Sequence, residues 1–184
     1  MIPRKGRQED LFPNEGTGDP IADENGAFDS RPTPPGVRRL GRHGRIRVGT
    51  SGYSFADWVG PFYPPGTPRR AMLDEYVQHF DIVEINSSYY RIPEANMFAR
   101  MEAKTAPGFE FVVKLYKGMT HEIEDDPDIY RRFTDSVAPL KEADKFAGYL
   151  AQFPWKFKKG KEALGHLADL RERLGDDPLF AEFR

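Results

Sequence analysis

The sequence predicts an α/β fold built on a parallel sheet, and three observations carry that prediction. Five short apolar runs, each read as a strand, alternate with stretches whose apolar residues recur at helical spacing. Prolines and glycines stand at the junctions between them. Within the second run, Asp81 to Arg91, the residues Ile82, Glu84 and Asn86 share one parity and Val83 and Ile85 the other. Helical stretches flank this strand on both sides, so its polar parity turns toward an enclosed space rather than toward water. Polar groups so enclosed need partners or a task.

The elements follow in order from residue 46. Residues 46–50 form the first strand, and a loop over 51–67 rich in Gly, Pro and aromatics follows. Thr67 is the expected cap and Pro68 the first helical position of a helix whose apolar face is Met72, Leu73, Tyr76, Val77 and Phe80. Strand two is 82–86, and its Tyr89-Tyr90 end reads as a loop. Pro93-Glu94 opens a second helix with Met97, Phe98 and Met101 on its apolar face, and Pro107-Gly108 ends it. Strand three is 109–116, with Phe111, Val113 and Leu115 on one face and Val112, Lys114 and Tyr116 on the other. Asp126-Pro127-Asp128 opens the third helix, which carries Ile129, Phe133 and Val137, and Pro139 limits its length. Strand four is 146–153, stopped by Pro154. A fourth helix carries Leu164, Leu167, Ala168, Leu170 and Leu174, with Gly175 just past its end, and 179–184 reads as a fifth strand.

A βαβαβαβαβ order implies right-handed crossovers and parallel pairing. It fits an open doubly wound sheet or part of a (β/α)8 barrel. Gly49-Thr50-Ser51-Gly52 lacks the G-x-G-x-x-G spacing of a dinucleotide site, which removes one support for the first. Residues 1–44 read differently: prolines recur at 3, 13, 20, 32, 34 and 35, apolar residues are isolated, and a disordered N-terminal extension is expected. The domain proper is 45–184.

The chain has 184 residues, 39% hydrophobic and 30% charged, with a formal net charge of -2. That balance gives no overall electrostatic drive toward nucleic acid or membrane. The basic stretch Arg38, Arg39, Arg42, His43, Arg45 and Arg47 keeps a nucleic-acid contact open, against the plainer reading of a solvated lead-in. No cysteine is present, which leaves no disulfide frame and no thiol nucleophile, and fits the cytoplasm. Met1-Ile2-Pro3-Arg4-Lys5 leads into no secretory apolar region, and no apolar run is long enough to span a bilayer.

Seven motifs now bear on the choice of architecture: Gly49-Thr50-Ser51-Gly52-Tyr53, Trp58-Val59-Gly60-Pro61-Phe62-Tyr63-Pro64, Val83-Glu84-Ile85-Asn86-Ser87-Ser88-Tyr89-Tyr90, Phe111-Val112-Val113-Lys114, Thr120-His121, Gln152-Phe153-Pro154 and Ala181-Glu182-Phe183-Arg184. Together and in this order they resemble the YecE-like family, a domain of unknown function (DUF72) with a TIM-barrel fold. The resemblance spans roughly residues 46–184. It implies a partial (β/α)8 barrel, because family members continue beyond the Glu-x-Arg strand and a full barrel takes eight strands and about 250 residues. A C-terminally truncated domain with two exposed sheet edges is expected, and with it oligomerisation through those edges.

In a barrel the site lies at the C-terminal ends of the strands. Glu84, Lys114, His121 and Glu182 are the candidate catalytic residues. Ser51, Tyr53, Asn86, Ser88, Tyr90, Gln152 and Arg184 are the candidate substrate contacts. Parity puts Glu84 with Asn86, Lys114 with Tyr116, and Glu182 with Arg184 on lumenal faces; Arg47 and Gly49 join them if Ile46 and Val48 meet helices. Glu84 serves as a base or charged anchor, or else forms an ion pair with Lys114 that only fixes register. Lys114 polarises an oxygen or, if its pKa were depressed, forms a Schiff base. His121 shuttles a proton or bonds a backbone carbonyl. A Glu84–Glu182 carboxylate pair, or a divalent metal held by both and His121, are further readings, although no adjacent ligand motif supports the metal. Tyr53, Trp58, Phe62, Tyr63, Tyr89 and Tyr90 form a stacking platform or pack the loops together.

Two function classes follow. One is an acid–base enzyme acting on a small polar or phosphorylated, sugar-like molecule. The other is a non-catalytic ligand- or nucleic-acid-binding barrel, with an inactive truncated remnant as a third reading. The sequence names no cofactor.

Overall fold

A computed structural model describes residues 46–184. The extension expected over residues 1–44, with the basic residues Arg38 to Arg45, lies outside the described residues. The five strands and the four longer helices follow the expected order, whereas the Tyr89-Tyr90 stretch read as a loop is a turn of helix and strand three ends early, before a second such turn: β1 (Gly49–Ser51), α1 (Met72–Tyr76), β2 (Ile82–Ile85), a one-turn α2 (Ser87–Tyr90), α3 (Ala95–Glu102), β3 (Glu110–Lys114), a one-turn α4 (Lys117–Thr120), α5 (Pro127–Glu142), β4 (Phe146–Phe153), α6 (Lys161–Leu174) and β5 (Leu179–Phe183).

All pairings are parallel, and the spatial order is β1-β2-β3-β4-β5. Each strand therefore adds beside its predecessor in the same direction. A doubly wound sheet reverses that order at a switch point; a barrel wall does not. Register pairs Ser51 with Glu84, Glu84 with Val112, and Gln152 with Glu182.

The two faces of the sheet differ as the alternation requires. Val83, Ile85, Phe111, Val113, Leu115, Tyr149, Ala151 and Phe153 are buried on the helix side, against Leu73, Tyr76, Phe98, Met101, Phe133, Val137, Leu140 and Leu170. Side chains of this size stabilise by roughly 1.5–3 kcal/mol each when fully buried, so this layer dominates the fold. Glu84, Val112, Lys114, Leu150 and Gln152 on the opposite face are only half-buried.

A register shift between Phe111 and Val112 marks a bulge where β3 meets β4. Gly148 sits there at φ +147°, and a Cβ would lie 2.8 Å from the Pro178 carbonyl oxygen. Gly49 has a second close approach: a Cβ would come within 2.1 Å of the Ile82 carbonyl oxygen.

Several elements depart from expectation. The first strand is shorter and shifted, and Ile46 and Val48 stay about half exposed (49% and 51%). Arg47 instead spans the N-terminal edge, donating to the Gly108 carbonyl (2.8 Å) and pairing with Glu110 (2.8 Å) and Asp81 (3.3 Å). Thr67 does not cap α1, because its hydroxyl donates to the Pro64 carbonyl (2.7 Å) and a 3-10 turn at Arg69–Ala71 precedes the helix. Asp126 does cap α5, accepting from the Asp128 amide (2.9 Å), with Pro127 in the first turn. Pro139 does not stop that helix, which runs on to Glu142. The carbonyl it deprives of a donor belongs to Asp135 on the exposed face, and Leu140 just beyond is buried. Among the described residues, no helix is long and apolar enough to cross a membrane.

Candidate functional site at the C-terminal strand ends

The strand ends build two hydrogen-bonded groups. At β1 and β2, Ser51 Oγ donates to Glu84 Oε1 (2.7 Å), and Asn86 Nδ2 donates to Ser51 Oγ. Asn86 lies one residue past β2, at the start of α2. At β3 to β5, Lys114 Nζ donates to Gln152 Oε1 (2.8 Å), Gln152 Nε2 donates to Glu182 Oε1 (2.7 Å), and Arg184 Nε donates to the same oxygen (3.1 Å). The parity expected of Glu84, Lys114 and Glu182 thus brings them to one face.

Lys114 belongs to the second group by contact and reaches Glu84 of the first only electrostatically. No ion pair joins it to Glu84 or Glu182 within 4.0 Å among the described residues, so the register-fixing Glu84–Lys114 bridge is absent. Burial pushes the Lys114 ammonium below the ordinary lysine value, Glu84 pulls it back, and Arg184 lowers it further. No sequence feature marks this direction. Glu182 is held below the usual carboxylate range by its bonds from Arg184 and Gln152.

Tyr89 is the site residue that strand parity alone does not reveal. Its ring centroid lies 5.1 Å from Lys114 Nζ and 5.0 Å from the His121 ring, which meets it edge-on. A cation above an aromatic face is attracted by the ring quadrupole. The placement depends on α2, a turn too short to show periodicity; its only sequence signal is the tyrosine pair following a strand.

His121 follows the one-turn helix α4, and its amide donates to the Lys117 carbonyl (2.8 Å). Nδ1 sits 3.0 Å from Thr120 Oγ1, a bond either group can donate. Burial, then the charge of Lys114, hold its pKa below the ordinary histidine value, which favours the neutral ring at pH 7. The alternative bond to a backbone carbonyl falls instead to His166, whose Nε2 lies 2.9 Å from the Met119 carbonyl oxygen.

Other candidates sit elsewhere. Ser88 is fully buried, and its hydroxyl is shared between the Ile85 (2.8 Å) and Lys114 (2.6 Å) carbonyls; it ties α2 to the end of β3. Tyr90 is 72% exposed and lines, with Tyr53, a cleft beside the end of β2 that Glu84 and Asn86 also line. The Tyr53 ring lies 6.1 Å from that of Tyr76, and burial raises its phenol pKa. Trp58, Phe62 and Tyr63 pack on one another at 4.9–5.9 Å. The Tyr63 phenol donates to the Tyr53 carbonyl (2.6 Å) and is pushed up to about 12 by burial. These three belong to loop packing. Among the described residues no three His, Cys, Asp or Glu side chains converge to hold an ion, so Glu84, Glu182 and His121 do not form a metal centre.

Comparison with known proteins agrees with this architecture. A family model described as "Protein of unknown function DUF72" matches residues 47–184. The UPF0759 protein YunF of Bacillus subtilis (strain 168) is 34% identical over 145 residues, covering 76% of this chain and 50% of that protein. The UPF0759 protein YecE of Escherichia coli (strain K12) is 29% identical over 100 residues, covering 53% and 36%. Crystal structures of DUF72 family proteins superpose well. One from Thermotoga maritima has TM-score 0.66 and 38% identity over 75% of this chain and 55% of that one. One from Enterococcus faecalis has TM-score 0.65 and 28% identity over 75% and 50%. The chain spans about half the length, or less, of the curated relatives it matches. With a matching family model over most of its length and a shared wall of parallel strands, the chain belongs to the DUF72 family of proteins of unknown function.

Proposed function

We propose that the Lys114 end of the sheet binds a small polar or phosphorylated, sugar-like molecule and transforms it by acid–base chemistry. One observation carries the reading. The Lys114 ammonium is half-buried and bonded to an amide instead of a carboxylate, with Tyr89, His121 and two carboxylates around it. An ammonium held this way offers donors and charge to a phosphate or a developing oxyanion. Glu84 is the base, Lys114 the electrostatic stabiliser, and neutral His121 the proton shuttle. Ser51, Asn86, Gln152 and Arg184 supply bonds to hydroxyl or phosphate oxygens. The test is mass spectrometry of small molecules retained by the purified chain, then affinity and turnover in Glu84→Gln and Lys114→Ala. A loss of about 100-fold is expected from either change; values equal to those of the unaltered protein count decisively against the site.

A second reading, a binding site without turnover, draws on Glu84 and Glu182 each already accepting hydrogen bonds. It predicts retained ligand without conversion. Its nucleic-acid form predicts affinity that falls steeply with salt, and a flat salt response excludes that form. The cysteine-free composition supports a cytoplasmic setting. Phe180 and Phe183, 50% and 58% exposed on β5, support association through that sheet edge; sedimentation as a monomer at every concentration removes this partner.

A further inference from the structure

We propose that the chain carries a second ligand site, on the outer side of β2, for an organic anion with an apolar body. Glu84 and Asn86 also line this hollow, so it adjoins the strand-end site proposed above, while Lys114 does not line it. A cleft of roughly 580 Å³ opens between α1 and α3. Its floor is Leu73 from α1, Ile85 from β2, and Met97 and Met101 from α3. Ile85 has the opposite parity to Glu84, so this floor lies on the helix-facing side of the sheet. Phe55 and Tyr90 line the cleft as well, and they stay 41% and 72% exposed.

The charge around this hollow is what selects the occupant. The same cleft is lined by Arg69, Arg70, Arg100 and Lys104. Lys104 is already taken, with Nζ on Asp74 Oδ2 (2.7 Å) and on the Arg70 carbonyl (2.5 Å). The guanidinium groups of Arg69, Arg70 and Arg100 make no hydrogen bond or ion pair with any described residue. Elsewhere Arg47, Arg131, Arg173 and Arg184 each meet a carboxylate. Glu84 also lines the cleft, but against it stand three arginines that pair with no carboxylate among the described residues, which leaves a local excess of positive charge.

A single exposed arginine is adequately served by water. Three beside an apolar floor match a ligand that buries a hydrocarbon or ring surface and presents a carboxylate or phosphate to guanidinium forks. The two methionines are unbranched and polarizable, and can adapt to that body. The volume falls within the range that encloses most of a small organic ligand.

The test uses the full chain and two probes of the same shape, 2-naphthoate and neutral 2-naphthamide, titrated calorimetrically. Saturable one-to-one binding of 2-naphthoate is expected, with the amide at least about tenfold weaker. Arg70→Gln and Arg100→Gln should each weaken 2-naphthoate by about tenfold, and Arg69→Gln/Arg70→Gln/Arg100→Gln should abolish the difference between the probes. Each arginine is exposed, and circular dichroism checks that the variants fold. Lys114→Ala should leave the affinity unchanged, which separates this site from the lumenal one. Equal affinity for acid and amide, no saturable binding of 2-naphthoate, or the same affinity in the triple variant overturns the proposal.

Discussion

The two ends of the sheet handle buried positive charge in opposite ways. At the N-terminal end, cations meet carboxylates directly: Arg47 with Glu110 (2.8 Å) and Asp81 (3.3 Å), and Lys145 with Glu102 (2.7 Å). Lys145 is 5% exposed and also donates to the Glu102 (2.9 Å) and Thr105 (2.7 Å) carbonyls, so all three of its donors are used. At the C-terminal end, Lys114 makes one hydrogen bond among the described residues, to the Gln152 amide oxygen, while Glu84 and Glu182 bond to other groups. The first arrangement saturates charge and locks the strand and helix ends. The second leaves donor capacity on Lys114 unused among the described residues. In a barrel wall this is the division expected between a stabilising face and a working face.

Breaking the saturated end should produce the largest change in stability. Lys145→Met leaves the Glu102 carboxylate and two carbonyls without their donor, and should cost roughly 2–4 kcal/mol in urea unfolding, discounted because Glu102 is partly exposed. A loss below about 0.5 kcal/mol would show that the two ends are alike. Arg47→Ala removes a weaker, more exposed set of contacts and should cost about 1–2 kcal/mol. Lys114→Ala should change stability by less than about 1 kcal/mol, since burial of its charge is unfavourable and only one amide bond is lost, while ligand affinity falls as stated above. If stability drops as far as in Lys145→Met, Lys114 is a structural residue.

The smallest effect is a pH dependence. His121 has its pKa lowered in the fold, so below the unfolded value of about 6.5 the unfolded chain binds the proton more readily than the folded one. Its contribution is therefore intact above that value and is lost as pH falls through the folded value. Melting temperatures of the unaltered chain and of His121→Asn should converge below pH 6 relative to their separation at pH 8. A gap that widens on acidification contradicts the sign.

Much of this division is written in the strands. The parity of Glu84, Lys114 and Glu182 is a period-two property, and a one-residue slip of register turns every side chain to the other face, so it is strongly specified. The bounds of β4 and the Asp126 cap are equally local and readable. What stays hidden depends on tertiary contacts. The turns α2 and α4 have four residues each, too few to show a period, yet they bring Tyr89 and His121 beside Lys114. Pro139 is tolerated inside α5 because the carbonyl it deprives of a donor, that of Asp135, lies on the exposed face. Arg47 reads as an isolated lumenal charge until Asp81, Gly108 and Glu110 are assembled around it from distant positions. Ser88 reads as a ligand contact, and only the neighbouring β3 carbonyl shows that its hydroxyl is used.

The contrast rests on Lys114 being buried without a carboxylate in contact, and a ¹³C NMR titration of its Cε resonance measures that state directly. The account predicts a midpoint below the ordinary lysine value of 10.5, moving lower still in Glu84→Gln as the opposing carboxylate is removed. A midpoint at or above 10.5, insensitive to Glu84→Gln, would mean that this end is as neutralised as the other, and would contradict it.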